Sequence, residues 1–257
     1  MVSSSSPAGD LQTPPPRALA KAEMMALLAG YSLELTPRAD LDLERSCALM
    51  RPGQTIYLSS VAGRPIEGSI AIAAALRKRG FRPVPHLAAR RVASEAALDS
   101  FLARAADEAG IEDSLVIAGD EPKPLGPYAD SAALLASGLL ARHGVKRVGL
   151  AGYPAGHPKI AEETLRASLA AKLEAARAAG LEPRIVTQFC FEAERIAAWA
   201  RQTRRAVGDV PIHIGLAGVA SLPTLIKFAQ RCGVSASLRM LRNRGNALVE
   251  LATSATP

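Results

Sequence analysis

A handful of polar side chains stand where apolar runs break off, and their types define the chemistry to look for. Glu34 interrupts Ser32-Leu33-Glu34-Leu35-Thr36-Pro37. A carboxylate among aliphatic neighbours is costly to keep charged, so one that faces a cleft becomes a general acid with a raised pKa. The other arrangement open to it is an outward-facing strand residue bonded to a neighbouring helix. Asp120 follows Gly119 and is either a site carboxylate or the N-cap of the segment beyond Pro127. The intervening Pro122-Lys123-Pro124-Leu125-Gly126-Pro127 reads as a loop and favours the site. His86, Tyr153, His157 and Gln188 end further apolar runs, the last followed by Phe189 and Phe191. His86 and His157 lack the spacing and the carboxylate partner of a zinc site, so no metal is expected. No Gly-x-Ser-x-Gly elbow or Cys/His pairing marks a hydrolytic nucleophile.

The elements that must hold these groups follow from the hydrophobic pattern. Short β-like runs cover residues 31–36, 55–60, 82–87, 114–119, 147–152, 184–190 and 211–216, at a spacing of about 30 residues. Between them lie Ala/Leu/Arg-rich stretches with helical periodicity, notably 66–79, 94–109, 131–142 and 162–179. Gly80, Gly110, Gly144 and Gly180 each close a helix just before the next strand. Strands alternating with helices imply a parallel sheet with right-handed crossovers. The first strand lacks the Gly-x-Gly-x-x-Gly turn of a doubly wound dinucleotide fold, so the fold class expected is α/β, a TIM-type (β/α)₈ barrel with seven units visible. In such a barrel the chemistry sits at the carboxyl ends of the strands, where all the polar groups above fall.

Composition narrows the function. The 257 residues are 49% hydrophobic and 21% charged, an ordinary globular mixture that excludes disorder for the bulk of the chain. A net charge of +7 raises a nucleic-acid reading, but aromatics are only 4%, too few for base stacking, and the basic residues are dispersed. A small anionic ligand is the more useful reading of that charge, with no nucleic acid and no membrane as partner. No run of apolar residues is long enough to span a bilayer. Residues 1–16, Ser- and Pro-rich, read as a disordered tail without the pattern of a secretory signal, and 17–257 as one barrel domain. Cys47, Cys190 and Cys232 are too few and scattered for a disulfide framework, which fits a reducing cytoplasm.

Taken in order, Ser32-Leu33-Glu34-Leu35-Thr36-Pro37-Arg38, Gly119-Asp120, Tyr153-Pro154-Ala155-Gly156-His157-Pro158 and Thr187-Gln188-Phe189-Cys190-Phe191 resemble the strand-end motifs of methylenetetrahydrofolate reductases, over residues 30 to 240. The resemblance implies an FAD-binding barrel, FAD held non-covalently. It implies reduction of 5,10-methylenetetrahydrofolate to 5-methyltetrahydrofolate with NAD(P)H as co-substrate, in one-carbon metabolism. It places Glu34 as the acid that opens the folate ring and Asp120 as the carboxylate near flavin and pterin. Gln188 would hydrogen-bond the pterin, with Phe189 and Phe191 lining the pocket. Ser60, His86, Gly119, Asp120, Tyr128, Ala129, Ser131, Tyr153, His157 and Lys172 fall where the family contacts FAD.

The chain also departs from the family pattern. Ala118 replaces an Arg before Gly-Asp, and Ala155 stands where Glu is common. The second strand ends Leu58-Ser59-Ser60-Val61-Ala62-Gly63 rather than Thr-Tyr-Gly, which leaves Ser60 as the substitute hydroxyl. The eighth unit is not evident: Ser235–Leu241 is the candidate strand, yet Arg239, Arg242 and Arg244 suit a barrel wall poorly. The barrel is therefore expected to be incomplete at its eighth unit, with a homo-oligomer or partner chain as one way to cover the gap. The alternative function is a divergent folate-binding barrel without flavin reductase activity of its own, either partner-dependent or flavin-free.

Overall fold

The structure is a computed structural model that describes residues 21–37, 41–61, 63–218 and 221–231. The expected tail at 1–16, Arg38, Cys232 and Ser235–Leu241 lie outside the described residues. The chain divides into a short unit, Met1–Tyr31, and a main unit, Ser32–Pro257. In the short unit Lys21–Leu28 forms helix α1 from strong helix formers.

In the main unit, strands and helices alternate as the sequence leads one to expect. The strands are β1 (Leu33–Leu35), β2 (Thr55–Leu58), β3 (Arg82–Ala88), β4 (Asp113–Ile117), β5 (Arg147–Gly152), β6 (Glu182–Thr187) and β7 (Ile212–His213). The helices are α2 (Leu43–Ala48), α3 (Gly68–Lys78), α4 (Glu95–Ala109), α5 (Ser131–Ala136), α6 (Leu139–Arg142), α7 (Glu162–Ala178), α8 (Ala193–Val207) and α9 (Leu222–Arg231). All neighbouring strands are parallel, in the order β1-β2-β3-β4-β5-β6-β7. They curl into a half-barrel, an incomplete TIM-type barrel.

Local signals set the boundaries. Ser94 caps α4 by accepting the Ala97 N–H at 3.1 Å, and Gly110 closes it in the left-handed conformation. The stretch expected as one helix over 131–142 is two, because Gly138 adopts φ +71° between α5 and α6.

Strand alternation sorts the apolar residues into two layers. Ile56 and Leu58 of β2, Leu87 of β3, Val116 of β4, Val148 and Leu150 of β5 and Ile185 of β6 join the main core with the helices, whose Leu76, Leu98, Phe101, Leu134, Leu140 and Leu173 are all nearly sealed from solvent. Tyr57, Val84 and Leu115 form a smaller cluster on the opposite, concave face, with Ile117 and Val186 against them. That inner face is thinly filled by aliphatics. Polar groups take the remaining inward positions.

Candidate active site

Register fixes which side chains share the concave face. Glu34 pairs with Tyr57, and His86 lies in a row with Leu115, Gly149 and Arg184 across β3 to β6. Glu34 therefore points inward rather than to a covering helix. Its carboxylate lies 4.0 Å from His86 Nε2, and its side chain is 55% exposed through the open side of the recess. Protein crowds it from the other directions, so burial raises its pKa, with a hydrogen bond from Ser59 pulling the other way. An acid of that kind holds its proton to higher pH than an ordinary glutamate, as protonation of an amine leaving group requires.

His86 is the complement. Its side chain is 9% exposed, its Nε2 has no hydrogen-bond partner, and burial lowers its pKa to about 4. It is neutral at physiological pH, so its approach to Glu34 is not an ion pair. The Tyr57 ring meets the imidazole edge-on, with centroids 5.9 Å apart. His86 borders a cavity of about 300 Å³ at the carboxyl ends of β1 to β3, walled by Pro37, Ser59, Ser60, Arg64 and Ile66.

The exits of β3 and β4 are laced together beside this cavity. Arg91, in a short 3-10 turn after β3, pairs with Glu121 at 2.9 Å and donates to Ser60 Oγ at 2.7 Å. Arg90 N–H donates to the Ala118 carbonyl, and Leu125 N–H to the Arg90 carbonyl. Gly119 turns at φ +94°, and a Cβ there would stand 2.8 Å from Glu121 Oε2, itself buried without a partner. Asp120 follows at an exposed position and is not a helix N-cap: that role belongs to Asp130, which accepts the Ala133 N–H at 2.9 Å. Asp120 lies near enough to Tyr153 for its charge to add to the rise that burial imposes on the phenol.

The remaining candidates fall in separate groups. Tyr153 packs edge-on against His157, centroids 5.6 Å apart, and His157 Nδ1 accepts the Lys159 N–H. Tyr128 and Ser131 are buried at the start of α5, and Ala129 is exposed. Lys172 on α7 is buried, donates to the Ala151 carbonyl at 3.0 Å, and is lowered to about 8 by burial, with Asp130 opposing that shift. Gln188 sits just past β6, and its Oε1 accepts the N–H of Phe189 at 3.0 Å. Phe189 and Phe191 touch edge-on at 5.7 Å. Among the described residues, no ion pair or hydrogen bond joins the Glu34–His86 pair to Gln188, and no cluster of ligand-type residues for a metal occurs.

Sequence reasoning missed Tyr57, Arg91, Asp113, Glu121 and Arg184. Arg184 is the first residue of the run 184–190 and Asp113 stands just before 114–119, so both fell below the level where a barrel's chemistry is sought.

Comparison with known protein families runs from within β2 past β7 and leaves out Glu34. The family model described as "Methylenetetrahydrofolate reductase" matches residues 57–243. Among solved structures, "Crystal Structure of Citrate Synthase SbnG" superposes with a TM-score of 0.39 at 16% identity, covering 86% of this chain and 98% of that chain. A likeness that low assigns neither substrate nor mechanism.

Proposed function

The chain belongs to the methylenetetrahydrofolate reductase family, and from that membership we propose that it reduces 5,10-methylenetetrahydrofolate to 5-methyltetrahydrofolate, with FAD as bound cofactor and NAD(P)H as reductant. Family membership supports the coarser statement, a reductase-type function in folate one-carbon chemistry. The observation that carries the finer reading is the pairing of Glu34, its pKa raised, with the neutral and unpartnered His86 on the rim of a strand-end cavity.

In this reading Glu34 delivers its proton to the folate amine that leaves as the five-membered ring opens, producing a cationic iminium. Asp120 sits exposed at the same mouth and stabilises that cation by charge. Gln188 offers the pterin an amide, with Phe189 and Phe191 as apolar walls.

The residues present fit a flavin. His86 leaves a buried nitrogen for a ring edge, and Gly119 makes the left-handed turn that leads the β4 exit into Asp120. Ser60, Tyr153 and His157 stand around it, and Tyr128, Ala129, Ser131 and Lys172 at the α5 and α7 side suit the phosphates and ribose. The flavin supplies two-electron hydride chemistry when bound. Ala118 contributes no cation at the β4 exit, and this favours the second reading, a folate-binding barrel without flavin turnover of its own.

One experiment separates the two. Full-length protein is incubated with FAD, desalted and scanned in the visible, then assayed for NAD(P)H oxidation with and without methylene-folate. Retained flavin bands with folate-dependent oxidation are expected. Glu34→Gln should lower the folate-dependent rate by roughly a hundredfold or more while leaving NAD(P)H oxidation by an artificial acceptor intact. A colourless, folded protein that binds folate by calorimetry supports the second reading instead. We extend the proposal to a cytoplasmic site of action; among the described residues no helix is long and apolar enough to cross a membrane.

A further inference from the structure

Beneath the mouth the concave face holds a buried polar chain that the reaction just described does not use. Arg184 of β6 is 8% exposed, and its guanidinium is fully committed on two sides. Nη1 donates to Asp113 Oδ1 on β4 at 2.9 Å, while Nε and Nη2 donate to the Tyr57 hydroxyl on β2 at 3.1 and 3.0 Å. The register partner of Arg184 on β5 is Gly149. A guanidinium this deep is tolerated only when its donors are met, and here the fork fixes a tyrosine on a strand remote in sequence.

The clamped tyrosine is the contact that matters. Its ring packs edge-on against His86, and its register partner on β1 is Glu34. We propose that Arg184 is a positioning residue for the proton chemistry of Glu34: acting through the Tyr57 hydroxyl, it fixes the ring against which His86 stands, and so sets the 4.0 Å approach of His86 Nε2 to the Glu34 carboxyl. Asp113 balances the charge of Arg184 and aims its fork. The groups facing His86 are Glu34 from β1 and Tyr57 from β2, with Asp113 from β4, Arg184 from β6 and His213 from β7 on the same inner face. The catalytic part of this inference rests on the folate-reductase reading; the positional part does not.

The test therefore has two readouts in the full chain. The first is the NMR titration of the His86 ring, assigned by its loss in His86→Gln. In the parent protein it should titrate near 4. Arg184→Met and Tyr57→Phe should each raise it by about one pH unit or more, as a loosened ring admits water beside the imidazole. The double variant should match the larger single effect, because Arg184 acts only through the hydroxyl. Should Arg184→Met fail to fold, Arg184→Lys replaces it, keeping a charge for Asp113 but only a point donor. Additive shifts, or a titration unmoved by either variant, overturn the proposal. The second readout is the pH profile of folate-dependent turnover, expected to move in these variants while NAD(P)H oxidation by an artificial acceptor keeps its profile. A parent protein silent toward methylene-folate refutes the reductase reading and leaves the titration to decide the inference.

Discussion

At the residue scale the site is a study in neutralised charge. His86 is nearly sealed inside the half-barrel and keeps its ring uncharged down to about pH 4. The unfolded chain binds that proton near pH 6.5, so between 6.5 and 4 the unfolded state takes up more protons than the folded one. Stability from this group is complete above pH 6.5 and is lost as pH falls through the folded value. The loss comes to about 3 kcal/mol at most. Urea denaturation of parent and His86→Gln at pH 7 and pH 4 checks it: the variant should lose less on acidification. Lys172 titrates with the same displacement at the other end of the scale. Its folded value is about 8 against 10.5 in the open chain, so the charged form is a burden to the fold below pH 8. Stability should rise as pH climbs from 8 to 10.5, and Lys172→Met should abolish that rise while adding about 3 kcal/mol at pH 7 if the methionine packs well. The same variant is expected to bind FAD less tightly if Lys172 serves a phosphate, which equilibrium dialysis measures.

Among the elements, the β3 and β4 exits behave as one unit. The Arg91–Glu121 pair, the Arg90–Ala118 backbone bond and the Leu125–Arg90 bond draw the Gly119–Asp130 loop down onto the turn after β3. Gly126 completes the seat: a Cβ there would run into the backbone of Val92 and Ala93, where nothing flexible can yield. Gly126→Ala should therefore lift this loop and cost about 1–3 kcal/mol. Its effect on ligand affinity should exceed its effect on the melting temperature, since the loop carries Asp120 and Tyr128. Calorimetric titration alongside thermal melting separates the two. Gly149→Ala is the milder contrast, because its Cβ would meet the movable Leu115 Cδ1 at 2.8 Å rather than main chain.

At the scale of the molecule, the governing fact is that the sheet of the described residues is open. Val84, Val116, Leu150 and Ile185 in β3 to β6 are 0–1% exposed, whereas β7 has only two residues and β1 three, with Leu33 and Leu35 half-buried. Hydrogen exchange should follow that gradient: amides of β3 to β6 exchange by global unfolding, those of β1 and β7 by local opening at much lower free energy. Uniform protection from β1 to β7 would mean that the edges are covered, by a further segment or another chain.

The sequence alone determined the alternation of strands and helices, the parallel sheet and the mouth at the strand ends, because these depend on local periodicity and on glycine and capping signals a few residues apart. It also picked out Glu34, since a charge inside a three-residue apolar strand is a local anomaly. For Asp120 it favoured the site over a helix cap, and the tertiary structure gives the cap to Asp130 ten residues on. Nothing local distinguished Arg184 from a surface arginine or Tyr57 from a core aromatic. Their pairing spans 127 residues of chain and exists only because the curl of the sheet brings β2, β4 and β6 around one interior. Inward position, and with it the desolvation that raises the pKa of Glu34 and lowers that of His86, depends on how many strands surround a group. That is a property of closure in three dimensions, which short-range pattern does not encode.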